Sequence, residues 1–331
     1  MIIRTTAYPR AGLVGNPSDG YFGRTLSFTF SNFSADVTLF QSPELEIVPS
    51  ERDHSRFESL RRLVSDVAQY GYYGGVRLLK AAIKRFNDYC VENRIELDER
   101  NFTIRYNSTI PHRVGLAGSS AIITACMRAL MAFYQVTIPK PALANIILAI
   151  EKEELQIAAG LQDRVAQVYQ GLVYMDFDRR LMDKQGHGEY VHLDQSLLPP
   201  LYIAYQQDLA EGSEVMHSSL RERYDRGDKD VRDAVTFWAD LALKVRDLLV
   251  AGRGREIGPL LDSNFDMRRR VCQIDDGNVR MVETARSVGA SAKFSGSGGA
   301  IVGTYADEAM FERLTKALEP LDVRVIKPQI V

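Results

Sequence analysis

The chain has 331 residues, a formal net charge of −2 and 45% hydrophobic residues. The near-neutral balance argues against a nucleic-acid scavenger or a membrane-surface binder, and the length leads one to expect two domains. Three widely spaced cysteines, Cys90, Cys126 and Cys272, with no CxxC pair, suggest neither a disulfide framework nor a structural zinc site. The start lacks an apolar run of signal-peptide length and no stretch approaches a membrane span, so a soluble cytoplasmic protein is expected, as monomer or homodimer.

In chain order, Leu26–Phe30 and Ala35–Phe40 read as strands, rich in β-branched and aromatic residues. The periodicity predicts a helix over Gly75–Asn93 and a strand over Asn101–Tyr106. Ala121–Tyr134 is apolar enough for a buried helix. A further helix runs from Ala142 to about Gln156 and ends in the charged run Glu151 to Glu154. Gly171–Phe177 reads as a strand and Asp178–Glu189 as a hairpin or loop. Leu198, Pro199 and Pro200 look like a linker, which places a boundary near residue 195 between domains 1–195 and 196–331. Beyond it come a strand, Leu201–Tyr205, and helices over Ser213–Tyr224, Asp230–Leu249, Glu256–Cys272 and Asn278–Val288. A glycine-containing apolar segment, Ala292–Thr304, precedes a helix over Asp307–Leu318 and a strand over Val323–Ile326. The triplet Arg268, Arg269 and Arg270 reads as a solvated helix face.

The segment Pro111 to Ala121 is the most informative. It sets Gly115, Gly118, Ser119 and Ser120 between a strand and an apolar helix. Free N–H groups at a helix start attract anions, and glycine allows close approach to the backbone. A serine-capped helix after a glycine turn is the plainer reading, and no lysine completes a Walker A loop. A second glycine cluster, Lys293 to Ala300, contains Ser295, Gly296, Ser297, Gly298 and Gly299, and a hairpin alone would explain it. A third cluster runs from Arg10 to Asp19 around a turn broken by Gly12, Gly15 and Pro17. Asp19 can accept a sugar hydroxyl and Arg10 can sit beside a phosphoryl group; an Asx-type turn with a surface arginine is the alternative.

Taken together and in this order, the three clusters resemble the GHMP kinase superfamily. Pro111, Gly115, Leu116, Ala117, Gly118, Ser119, Ser120 and Ala121 fit its phosphate loop, Arg10, Leu13, Gly15 and Asp19 its first motif, and Ser295 to Gly299 its third. The resemblance implies an α+β, two-domain fold with a ribosomal-protein-S5-domain-2-like N-terminal ATP-binding domain and a ferredoxin-like α+β C-terminal domain. It implies ATP as co-substrate and Mg²⁺ held by Ser120 and Glu153, with Ser119 and Glu151 as alternatives. Asp163 becomes the candidate base, although it could equally cap the helix that follows, and Arg10 becomes its cationic partner.

Within the superfamily, the blocks Gly15 to Asp19, Tyr21 to Thr25, Gly71 to Leu79, Gly118 to Ile122 and Ala159 to Tyr169 are similar to glucuronokinases. That implies phosphorylation of D-glucuronate at its anomeric hydroxyl; galacturonate, galactose or a heptose phosphate, and a non-catalytic sensor, are the other readings. Galactokinases place a glutamate where Asn16 stands here. A carboxylate there would repel a uronate, whereas a neutral amide can donate to it. Arg24, then Arg164, are the candidate cations for the sugar carboxylate, Ser295, Gly296, Ser297 and Gly298 complete the substrate side, and Tyr72 and Tyr73 could line a pocket.

Overall fold

In a computed structural model, the structure describes residues 1–50, 53, 59, 74–206 and 213–331. Tyr72 and Tyr73 lie outside the described residues. The elements, in chain order, are β1 (Ile2–Ala7), β2 (Arg10–Val14), β3 (Arg24–Thr29), β4 (Ala35–Ser42), β5 (Glu46–Val48), α1 (Gly75–Glu92) and β6 (Asn101–Ser108). Next come α2 (Gly118–Tyr134), α3 (Lys140–Ala149), α4 (Leu161–Tyr169), β7 (Leu172–Asp176), α5 (Arg179–Gln185), β8 (Glu189–Leu193) and β9 (Leu201–Tyr205). The chain ends with α6 (Ser213–Arg226), α7 (Lys229–Val250), α8 (Gly258–Val271), α9 (Asp276–Ser287), β10 (Lys293–Phe294), β11 (Ala300–Thr304), α10 (Glu308–Leu318) and β12 (Arg324–Ile326).

Packing groups these elements into two compact units. One comprises Met1–Tyr8, Phe33–His112 and Gly118–Ala159; the other comprises Pro9–Asn32, Arg113–Ala117 and Gly160–Val331. This partition interleaves along the chain and differs from a single boundary near residue 195.

The first unit is built on a sheet of order β1-β4-β6-β5, antiparallel except for the parallel β5–β6 pair. Helix α2 covers it. Ala121, Ile123, Ala125, Met127, Leu130 and Phe133 are all buried, as expected of a helix apolar on most of its surface. Thr5 Oγ1 donates to the Ala125 carbonyl (2.6 Å) and Arg128 Nη1 to that of Thr6 (2.7 Å), which ties the helix to β1. Burial pushes the Cys126 thiol up to about 12, as befits a small core residue.

The second unit carries two sheets. Antiparallel β2-β3-β7-β8 is one. The other, β10-β11-β9-β12, is antiparallel throughout and has the strand order of a ferredoxin-like unit, with α6–α9 in the first crossover and α10 in the second. Its core gathers Tyr202, Phe265, Met281, Phe294, Ile301 and Leu314. The stretch expected as a loop, Asp178–Glu189, instead contains α5. Asp178 caps it by accepting from the N–H groups of Arg180 and Leu181, and left-handed Gly186 closes it. Among the described residues, no helix is long and apolar enough to cross a membrane.

Candidate active site

In the second unit, Arg10 opens β2 rather than lying in a turn, and it is 5% exposed. Its backbone N–H donates to the Leu116 carbonyl (3.3 Å) and its Nη1 to the carbonyls of Gly115 (2.7 Å) and Ser295 (3.2 Å). One guanidinium therefore holds the loop at 113–117 and the loop at 295–299. Those loops meet backbone to backbone: a Cβ on Gly296 would lie 2.3 Å from the Gly115 oxygen, and one on Gly115 would lie 2.9 Å from that of Gly298. Gly115 has φ +71°, and Arg113 and Ala117 also adopt left-handed conformations. Alternation of this kind turns successive N–H groups to one side, a concavity suited to anions. Gln167 Nε2 donates to the Ala117 carbonyl (2.8 Å) and fixes the loop's far end.

The remaining face of Arg10 belongs to Asp163. Arg10 Nε is 2.6 Å from Asp163 Oδ1, and Arg164 Nη1 is 3.2 Å from Oδ2. Asp163 is the third residue of α4, whose cap is Gly160, so its carboxylate is not spent on capping. Arg164 is buried and also donates to the Gly160 carbonyl (2.8 Å). Asp19 lies on the 3₁₀ turn Ser18–Tyr21 and accepts from the Gln162 N–H (3.3 Å). Burial and the nearby Asp163 carboxylate raise its pKa from 3.8 to about 6.

Asn16 is 5% exposed, and its Oδ1 accepts from Lys293 Nζ (2.6 Å). Arg24 is not brought to this cluster. It faces Asp176 across the β3–β7 register, with Nε 2.7 Å from Oδ2. Its backbone lies beside Gly15, but its charge is committed to the neighbouring strand.

In the first unit, Pro111 precedes the loop, and α2 starts at Gly118 with Ser119, Ser120 and Ala121 in its first turn. Ser119 Oγ donates to Glu151 Oε1 (2.7 Å). Glu151 is fully buried in the π-helical turn Ile150–Glu154, a local widening of the helix often found at functional positions. Ser120 is buried too, whereas the Glu153 side chain is 62% exposed and pairs with Arg85 Nη2 at 2.5 Å. Serine hydroxyls and a buried carboxylate are hard oxygen donors, which fit Mg²⁺. Of the two candidate carboxylates, Glu151 is therefore the one turned inward beside Ser119.

Three residues of the second unit were missed. Arg268, expected on a solvated face, is 2% exposed and donates to the carbonyls of Gly296 (2.8 Å) and Ser297 (2.9 Å). Its spacing from Leu261 and Phe265, both buried, is the signal that places it on the inner stripe of α8. Gln162 and Lys293 carry weaker signals, each being a single polar residue next to a recognised motif.

The GHMP kinases N terminal domain model matches residues 77–171. Glucuronokinase 1 of Arabidopsis thaliana is 46% identical over 307 residues, covering 91% of this chain and 84% of its own length. Among solved structures, Streptococcus pneumoniae phosphomevalonate kinase in complex with phosphomevalonate and AMPPNP aligns with TM-score 0.75 at 14% identity, over 99% of this chain and 100% of that one. Lactococcus lactis galactokinase complexed with galactose aligns with TM-score 0.73 at 14% identity, over 99% and 93%. The chain therefore belongs to the GHMP kinase family. It is a phosphotransferase with an alcohol group as acceptor, on the α+β fold of that family.

Proposed function

We propose that the protein transfers the γ-phosphoryl group of ATP to the anomeric hydroxyl of D-glucuronate, giving glucuronate 1-phosphate and ADP. The name of the Arabidopsis relative supplies the sugar. The observation that carries the chemistry is Asp163, gripped by Arg10 and Arg164 while Arg10 also holds both glycine loops. In this reading Asp163 orients the anomeric hydroxyl and accepts its proton, and Arg10 holds that carboxylate in place and offsets charge on the transferring group. Asp19 accepts a sugar hydroxyl. The N–H groups of residues 115–120 bind the phosphates. Ser119, Ser120 and Glu151 would hold Mg²⁺, which would supply positive charge against the ATP phosphates. Asn16 meets the sugar carboxylate, with Arg164 as its cation, and Ser295 to Gly298 line the substrate side. Residues 1–195 form the ATP-binding domain and 196–331 the C-terminal domain, in a cytoplasmic enzyme.

A coupled assay of ADP release against glucuronate, galacturonate, glucose and galactose tests this directly. Glucuronate should be the best acceptor, and Asp163→Asn should reduce its turnover by roughly 10²–10⁴-fold. Equal turnover of galactose would remove the uronate assignment and leave the kinase standing.

A further inference from the structure

Lys293 is a lysine where a core residue is expected. It lies on β10, is 1% exposed, and is flanked by Ala292 and Phe294 of the apolar core. Its ammonium donates to three oxygens at 2.6 Å each: the Gly12 carbonyl, the Phe294 carbonyl and Asn16 Oδ1. An ammonium has three N–H donors and no lone pair. Every donor is used, and every partner must present an oxygen. Burial, with Arg268 and Arg10 nearby, pushes Lys293 well below the usual lysine range; the three acceptors act in the opposite sense by favouring the protonated form.

The consequence falls on Asn16. A free side-chain amide can turn either end to its surroundings, but a donor-only partner at Oδ1 fixes the NH₂ end on the opposite side. Among the described residues no group accepts from Asn16 Nδ2. The space beside Gly12 is where this amide sits. A Cβ on Gly12 would lie 3.3 Å from Asn16 Cγ, 3.0 Å from Gln162 Nε2 and 2.8 Å from the Ser295 oxygen. Gln162 is the immediate neighbour of Asp163, and its backbone N–H binds Asp19. Asn16 therefore shares a wall with the two site carboxylates, and Arg10, Arg164, Arg268 and Lys293 outweigh Asp19 and Asp163 in charge there.

We infer that Lys293 is a specificity-determining positioning residue: by clamping the amide oxygen of Asn16 it aims the amide N–H groups at an anionic substituent on the sugar and disfavours a hydroxymethyl group at that place. This rests on the uronate reading above. A carboxylate offers only acceptors, so it matches a fixed pair of donors. A lysine serving only to staple β10 to β2 would affect all acceptors alike.

The test compares kcat and KM for glucuronate and for glucose, its neutral C6 counterpart, in wild type and variants. Lys293→Met should raise KM for glucuronate about tenfold or more, with a smaller change in kcat and in KM for ATP, so that the glucuronate-to-glucose ratio of kcat/KM falls. A ratio unchanged by Lys293→Met in a folded protein overturns the inference. Asn16→Asp keeps an acceptor for Lys293 and so protects folding; it should lower the same ratio by about tenfold or more through carboxylate repulsion, and an unchanged ratio also overturns the inference. In an Asn16→Ala background, Lys293→Met should leave the ratio where Asn16→Ala put it, because coupled residues are not additive. An additive loss there overturns the action through Asn16. Wild type that turns over no uronate overturns the substrate reading and this inference with it, an outcome recognisable before any variant is made.

Discussion

At the residue scale, the site carries a conflict between two acids. Asp19, raised from 3.8 to about 6, holds its proton more tightly folded than unfolded. Between those values the folded state binds more protons than the unfolded one, so stability falls as pH rises through the window and levels off above it. The penalty at neutral pH is up to about 3 kcal/mol. Asp19→Asn removes it: the melting temperature of the variant relative to wild type should climb from pH 4 to pH 6 and then stay flat. A parallel pair of melting curves across that range would contradict the burial argument. The two glutamates of the π-turn make a second prediction. Glu151→Gln should raise the Mg²⁺ concentration for half-maximal turnover about tenfold or more, and Glu153→Gln by less than about twofold, read from magnesium titrations of the ADP assay. The structure brings Asp163, Arg164, Asp19 and Arg10 together, and each lies inside a sequence motif with fixed spacing. The pairing of Arg24 with Asp176 was not legible, because Asp176 is 152 residues away and nothing near Arg24 announces it. Which of Glu151 and Glu153 turns inward depends on one residue of helix widening, which spacing alone does not reveal.

At the element scale, helices α1 and α2 and strand β9 were readable because their apolar spacing is long or unbroken. Strand β2 was not, since Gly12 interrupts it and its residues are buried throughout, leaving no alternation to detect. Helix α5 was hidden by polarity. None of its residues is buried, and only Asp178 and Gly186 at its ends mark it. The two glycine loops behave as one part. Gly115 combines a left-handed φ with contact against Ser297 and Gly298, so Gly115→Ala must either strain the backbone or push the second loop away. Strain at such positions costs about 1–3 kcal/mol. Gly115→Ala should raise KM for ATP while lowering the melting temperature only modestly; steady-state kinetics with a thermal melt separates the two effects.

At the scale of the whole molecule, the last residues return to the middle of the second unit. Val331 N–H donates to the Thr29 carbonyl (3.2 Å), Ser31 N–H to that of Gln329 (2.8 Å), and Ile330 pairs with Phe30. Removing residues 327–331 should lower the melting temperature by about 4 °C or more, since those bonds seal the edge over buried Phe28 and Phe30. The fold class was legible from the order of motifs, but the interleaved packing was not, because it depends on pairings remote in sequence. Its consequence concerns biosynthesis. The second unit uses residues 9–32, 113–117 and 160–331, so its earliest stretch leaves the ribosome long before its last. Arg10 cannot find Asp163 until the intervening chain has been made, and the clamp on Asn16 waits for residue 293. The nascent protein must therefore carry the β2–β3 pair with the β3 edge that β7 will cover still open through much of translation, a period in which exposed strand edges invite misassembly and chaperone capture.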